Sequence, residues 1–181
     1  MRRILMLSCG MVLVTALPAL AQKAVADVVA RSAAGTFRNL VESAEKMPEE
    51  HYSFQATKET RTFAGFVGHT INSAYNNCAR AKGEANPNKA DLEKETSKAK
   101  LVEAAKAVQT YCDAVFAAQT DASLAEMVTQ GQNQVARAQA LVGIISHNMN
   151  EYGQMVILMR LKGIVPPTTE RAQAPRKPGQ D

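Results

Sequence analysis

His147 and Glu151 stand four residues apart in a stretch whose apolar residues recur with helical spacing. At about 100° per residue, Ala140, Ile144, His147, Glu151, Met155 and Leu158 fall in one narrow sector of a helix. The other members are apolar, so the sector faces a core, and an imidazole and a carboxylate lie one above the other on it. Burying either group costs free energy unless it is paired, hydrogen-bonded or coordinated. Two readings are open. The pair hydrogen-bonds internally and fixes the packing, or it supplies two ligands of a metal, because inward-pointing His and Glu on facing helices are how helical bundles build metal sites.

A third ligand has to come from His51 or His69, the remaining histidines. His51 follows Pro48 in a loop, where a solvated side chain is the default. His69 lies on a second helical stretch, about 60° from Phe66 and away from Val67, Ile71 and Cys78. It shares a face with Gly65, Asn72, Ser73 and Asn76, a small and polar strip that is either solvent-facing or the lining of a cleft. Other chemistries have no signature: there is no phosphate-cradling glycine loop, no CxxC pair and no nucleophile elbow.

The elements that must hold these residues are helices. Apolar spacing predicts one over residues 25–46, with Val28, Val29, Phe37, Leu40 and Val41 inward. A second spans residues 59–82, a third 97–119, and a fourth begins near Ala125 or Gln132 and ends near Lys162, before Gly163 and Pro166. No proline falls between Pro87 and Pro166, so the last two run unbroken. No strand is predicted. Four helices with short connections make an all-α four-helix bundle over residues 22–165, and residues 166–181, polar and proline-rich, read as a disordered tail. The alternating charges Lys94, Glu95, Lys98, Lys100, Glu103 and Lys106 read as a solvated face.

A chain of 181 residues with 46% apolar and 21% charged residues suits one domain. The net charge of +4 includes Arg2 and Arg3, without which 19 basic residues face 17 acidic ones. That balance, with no tryptophan and 5% aromatics, argues against a nucleic-acid partner. Arg2 and Arg3, the apolar run from Ile4 to Leu17 and the small residues of Ala19-Leu20-Ala21 form the pattern of a secretory signal peptide over residues 1–21, cleaved after Ala21. The run falls short of the about 20 residues a spanning helix needs, so no stable membrane anchor is expected. A secreted or periplasmic location follows. Cys9 leaves with the signal, and Cys78 and Cys112 then face an oxidising compartment. They form either a disulfide or two small buried apolar side chains.

The stretch Met47-Pro48-Glu49-Glu50-His51-Tyr52-Ser53-Phe54, then Arg61-Thr62-Phe63 and Val67-Gly68-His69, resembles the first half of the DinB/YfiT-like helical proteins. His147-Asn148-Met149-Asn150-Glu151-Tyr152-Gly153-Gln154 and the run Met159 to Pro167 resemble the second half. The resemblance covers nearly all of the chain after residue 21. It implies an up-down-down-up four-helix bundle, homodimeric, with a divalent metal (zinc, nickel or iron) on three histidines near one end. By position the ligands are His69 and His147, and Glu151 stands where the family carries its third histidine. Two histidines and a carboxylate with open positions are a working metal set.

Two functions of different class follow. One is a divalent-metal-dependent enzyme acting on a small molecule, resembling the thiol-dependent transferases and isomerase of this superfamily, in which a cation activates a thiolate. Those thiols are mainly cytosolic, which sits poorly with export. The other is a non-catalytic exported bundle that binds a ligand or partner, with His147 and Glu151 as internal polar glue.

Overall fold

The computed structural model describes residues 23–175. The predicted signal segment, residues 1–21, lies outside them. Six helices and one hairpin follow in order: α1 (Ala24–Lys46), α2 (Phe63–Lys82), α3 (Lys98–Ala117), α4 (Asp121–Ala125), β1 (Met127–Gln130), β2 (Asn133–Ala136), α5 (Arg137–Leu161) and α6 (Pro167–Gln173). Asp27 in the first turn of α1 and Lys46 in its last both suit the helix dipole. Met47 ends the helix in an extended conformation because Pro48 disfavours the helical one for the residue before it.

A 3-10 turn, Glu49–His51, carries the chain towards α2. Tyr52 donates its hydroxyl to the Ala44 carbonyl at 2.5 Å and sets its ring edge-on to Phe63, 5.3 Å between centroids. Phe63 and Ala64 donate their N–H groups to Phe54 and Tyr52, which pins the loop over the start of α2. That start comes four residues later than predicted. Thr60 spends its hydroxyl on the Thr57 carbonyl, and Thr62 caps the helix by accepting from Gly65 N at 3.0 Å.

The four long helices surround one core. α1 packs on α3 and α5, and α2 packs on the same two from the other side. Phe37, Leu40, Met47, Phe63, Val67, Ile71, Leu101, Leu141, Ile144 and Met155 are buried between them. Contacts fix the directions. Lys23 Nζ reaches the Ala117 carbonyl and Lys98 Nζ the Met47 carbonyl, so α1 and α3 run oppositely. Cys78 near the end of α2 is disulfide-bonded to Cys112 near the end of α3, with Cα atoms 5.7 Å apart, so those two helices run the same way. Residues 83–97 must therefore return along α2 before α3 can begin. Among the described residues no helix is long and apolar enough to cross a membrane.

Three expectations are corrected. The fourth long helix starts at Arg137, neither near Ala125 nor near Gln132, and a β-hairpin occupies the preceding residues where no strand was expected. Gln130 pairs with Asn133, leaving Gly131-Gln132 as a two-residue turn with Gly131 at φ 63°, a conformation glycine adopts without a Cβ penalty. Val128 faces Val135 across the ladder, an apolar cross-strand pair that a helical periodicity count absorbs. The supposed disordered tail from residue 166 is also ordered in part. Pro167 sits at the first position of α6, where its missing N–H is no loss. Arg171 binds Glu42 and Asn39, Lys46 binds Glu170 at 2.6 Å, and the Tyr152 hydroxyl meets Thr168, so α6 is docked on α1 and α5.

Candidate metal centre

Along α5 the inward sector is as the spacing requires. Ala140, Ile144, Glu151, Met155 and Leu158 are buried, with His147 half-buried at the edge. α2 faces it and presents His69. The two Nε2 atoms lie 3.2 Å apart, and Glu151 Oε1 is 3.7 Å from His147 Nε2. One donor atom from each of His69, His147 and Glu151 lies within 4.8 Å of the others. His51 is outside this cluster, in the 3-10 turn after α1.

The donor set fits a cation. Two nitrogens bound tetrahedrally at about 2.0–2.1 Å from one ion sit about 3.3 Å from each other, close to the Nε2 separation here. Glu151 Oε2 is buried without a hydrogen-bond partner, as is His147 Nδ1, and the Glu151 side chain is only 8% exposed. A buried carboxylate oxygen left unpaired is costly, and an ion beside it removes that cost. Burial pushes the His147 imidazole below its ordinary pKa; Glu151 works the other way and His69 adds to the lowering. The neutral ring that results is the form that binds metal.

His69 has a second partner that sequence reasoning did not find. Its Nδ1 lies 3.0 Å from Glu93 Oε2, and the other oxygen of Glu93 accepts from Arg61 Nε at 2.6 Å. Burial raises the Glu93 carboxyl, but hydrogen bonds from Arg61 and His69 outweigh it and hold the group below the usual carboxylate value. An ionised carboxylate only accepts, so Nδ1 carries a proton, and the neutral tautomer this selects has its Nε2 lone pair on the side of His147. Glu93 sits in a 3-10 turn, Leu92–Lys94, on the returning segment. It has no periodic partner in the sequence, and its neighbours Lys94 and Glu95 read only as part of a charged face.

The polar strip around His69 also finds its role. A groove of about 330 Å³ is lined by His69, Asn72, Ser73, Asn76, Asn77 and Arg80. Most of its amides are committed to the chain that runs past. Asn72 donates to Asp91 and accepts from Asn88 and from Leu92 N–H, while Asn76 accepts from Asn86. The strip is a docking rail for residues 84–94. Gly68 completes it, because a Cβ there would meet the Leu92 carbonyl oxygen at 1.9 Å.

The comparisons with known proteins agree with this architecture. A crystal structure of a DinB-like protein from Bacillus cereus ATCC 10987 superposes with a TM-score of 0.68 at 17% identity, over 78% of this chain and 95% of that one. No curated protein matches the chain. The model of the DinB superfamily matches residues 33–155, a span that opens in α1, takes in His69, Glu93 and His147, and closes just past Glu151 on α5. By that match the chain belongs to the DinB superfamily.

Proposed function

We propose that this protein is an exported, divalent-metal-dependent enzyme of the up-down-down-up four-helix-bundle type, in which His69, His147 and Glu151 form a variant of a three-histidine site. The observation that carries the reading is the convergence of two imidazole Nε2 atoms, 3.2 Å apart, on a buried carboxylate with an unpaired oxygen. The chain's own residues do two things. His147 and Glu151 offer two donors from one rigid face of α5, and His69 brings the third from α2. A bound zinc, nickel or iron ion would lower the pKa of a thiol or water beside it and polarise a small-molecule substrate.

Export is supported by the residue pattern of positions 1–21 and by the Cys78–Cys112 disulfide, a bond that persists in oxidising compartments. A homodimer is part of the proposal; Val142, Met149 and Ile157 leave apolar side chains exposed on α5. A second reading has its own support, because the 3.2 Å contact between the histidines is also a hydrogen bond that needs no ion. On that reading the trio is internal polar glue of a ligand- or partner-binding bundle. Metal analysis of the purified protein with calorimetric titration separates the two. One tightly held ion per chain supports the enzyme, and a folded protein with no saturable binding of zinc, nickel or iron supports the glue.

A further inference from the structure

Why does the chain lay residues 83–97 back along α2 when a tight turn would lead into an antiparallel helix? The segment has little apolar surface to bury. It is held by side-chain amides of Asn72 and Asn76 and by backbone contact at Gly68, all on the α2 face that carries His69. Arg61, just before α2, closes the far end by binding Glu93. These contacts converge on the placing of one carboxylate oxygen 3.0 Å from His69 Nδ1.

We infer that Glu93 is a positioning residue for His69: clamped by Arg61 and by the docked segment, it holds the proton on Nδ1 and turns Nε2 towards His147 and Glu151. An imidazole has two nitrogens, and the group that engages one decides what the other can offer. A carboxylate on Nδ1 fixes the tautomer and the ring orientation and raises the basicity of Nε2, as outer partners of metal-bound histidines do. His147 has no carboxylate on its Nδ1, only the neutral Asn148 amide beside its ring. The two histidines are therefore unequal, with His69 the preorganised one.

The part of this inference that concerns ion affinity rests on the metal-centre reading, and the part that concerns the tautomer does not. Long-range proton–nitrogen NMR of metal-free, isotopically labelled protein at about pH 8, where imidazoles are neutral, identifies the protonated nitrogen of His69. The expected result is Nδ1–H in the wild type and a shift of population to Nε2–H in both Glu93→Ala and Glu93→Gln, because the single amide oxygen of glutamine goes to Arg61 and its NH2 is left facing Nδ1. Zinc titration of the same three proteins should show about 10–100-fold weaker binding in both variants. A wild-type His69 protonated on Nε2 overturns the inference, as does Glu93→Ala with tautomer and affinity unchanged. If the wild type binds no ion, the metal reading falls while the tautomer series still decides the role of Glu93. Should Glu93→Ala fail to fold, Arg61→Met frees the carboxylate without touching His69. The tautomer should then shift in the same direction, and its failure to move would reject the clamp.

Discussion

Gly68 and Leu92 meet where a methyl group has no room: a Cβ on Gly68 would lie 1.9 Å from the Leu92 carbonyl oxygen and 2.8 Å from Glu93 N. The obstacle is backbone, so no side chain can swing aside to relieve it. Gly68→Ala should push residues 92–94 off α2. The cost should be about 1–3 kcal/mol, the range for forcing a methylene into packed space, despite alanine's better helix propensity. Denaturant unfolding measures it. Gly143, whose added Cβ meets nothing within 4 Å, is the control, and Gly143→Ala should be neutral or mildly stabilising.

The ligand set makes a sharper test. His147→Ala should abolish stoichiometric ion binding, and His51→Ala should leave it unchanged because His51 is outside the cluster. Glu151→His should retain or strengthen it. Calorimetry with zinc reads all three. Undiminished binding by His147→Ala would remove the basis for the site.

The disulfide closes a loop between residues 34 positions apart. Chain-entropy arguments give about 3–4 kcal/mol for a loop of that length. Cys78→Ser with Cys112→Ser should lose stability of that order in urea unfolding. Thiol alkylation of the unfolded exported protein, which has lost Cys9 with residues 1–21, should find no free thiol until reductant is added.

Tyr52 should govern alkaline unfolding. Burial pushes its hydroxyl well above the ordinary value of 10.0, and Glu49 and Glu45 add to the rise. The unfolded chain therefore loses this proton first. The stabilisation is complete below about pH 10 and is lost as pH climbs from there towards the folded value. Tyr52→Phe should flatten the alkaline limb of the stability profile. At neutral pH it should cost about 1–3 kcal/mol, because the buried Ala44 carbonyl loses its donor.

Helical spacing made His147 and Glu151 legible, since an imidazole and a carboxylate on an otherwise apolar sector have few places to go. His69 was harder. Its angle from Phe66 put it among Asn72, Ser73 and Asn76, and only family resemblance marked it as a partner. The structure explains the ambiguity, because that strip contacts a segment that returns along it, a long-range fact absent from local periodicity. Glu93 was invisible for the same reason: its importance comes from Gly68 and Arg61 across the fold. The hairpin was hidden because Val128 and Val135 also suit a helical repeat, and Gly131 was the one local sign against it. In α6 the prolines that suggested disorder were read by composition, whereas position mattered: Pro167 begins a helix that Arg171 then ties to α1.

The bond between Cys78 and Cys112 encloses the whole of residues 83–97 in a covalent ring. A single protease cut between residues 84 and 90 would leave a two-fragment protein still joined through sulfur. His69 would sit on one fragment, with Glu93, His147 and Glu151 on the other. The centre would then be a complementation product whose halves are tethered by one reducible link. In such a nicked molecule a thiol reductant would become a release switch, and dilution after reduction would separate the ligands that the intact chain keeps within reach.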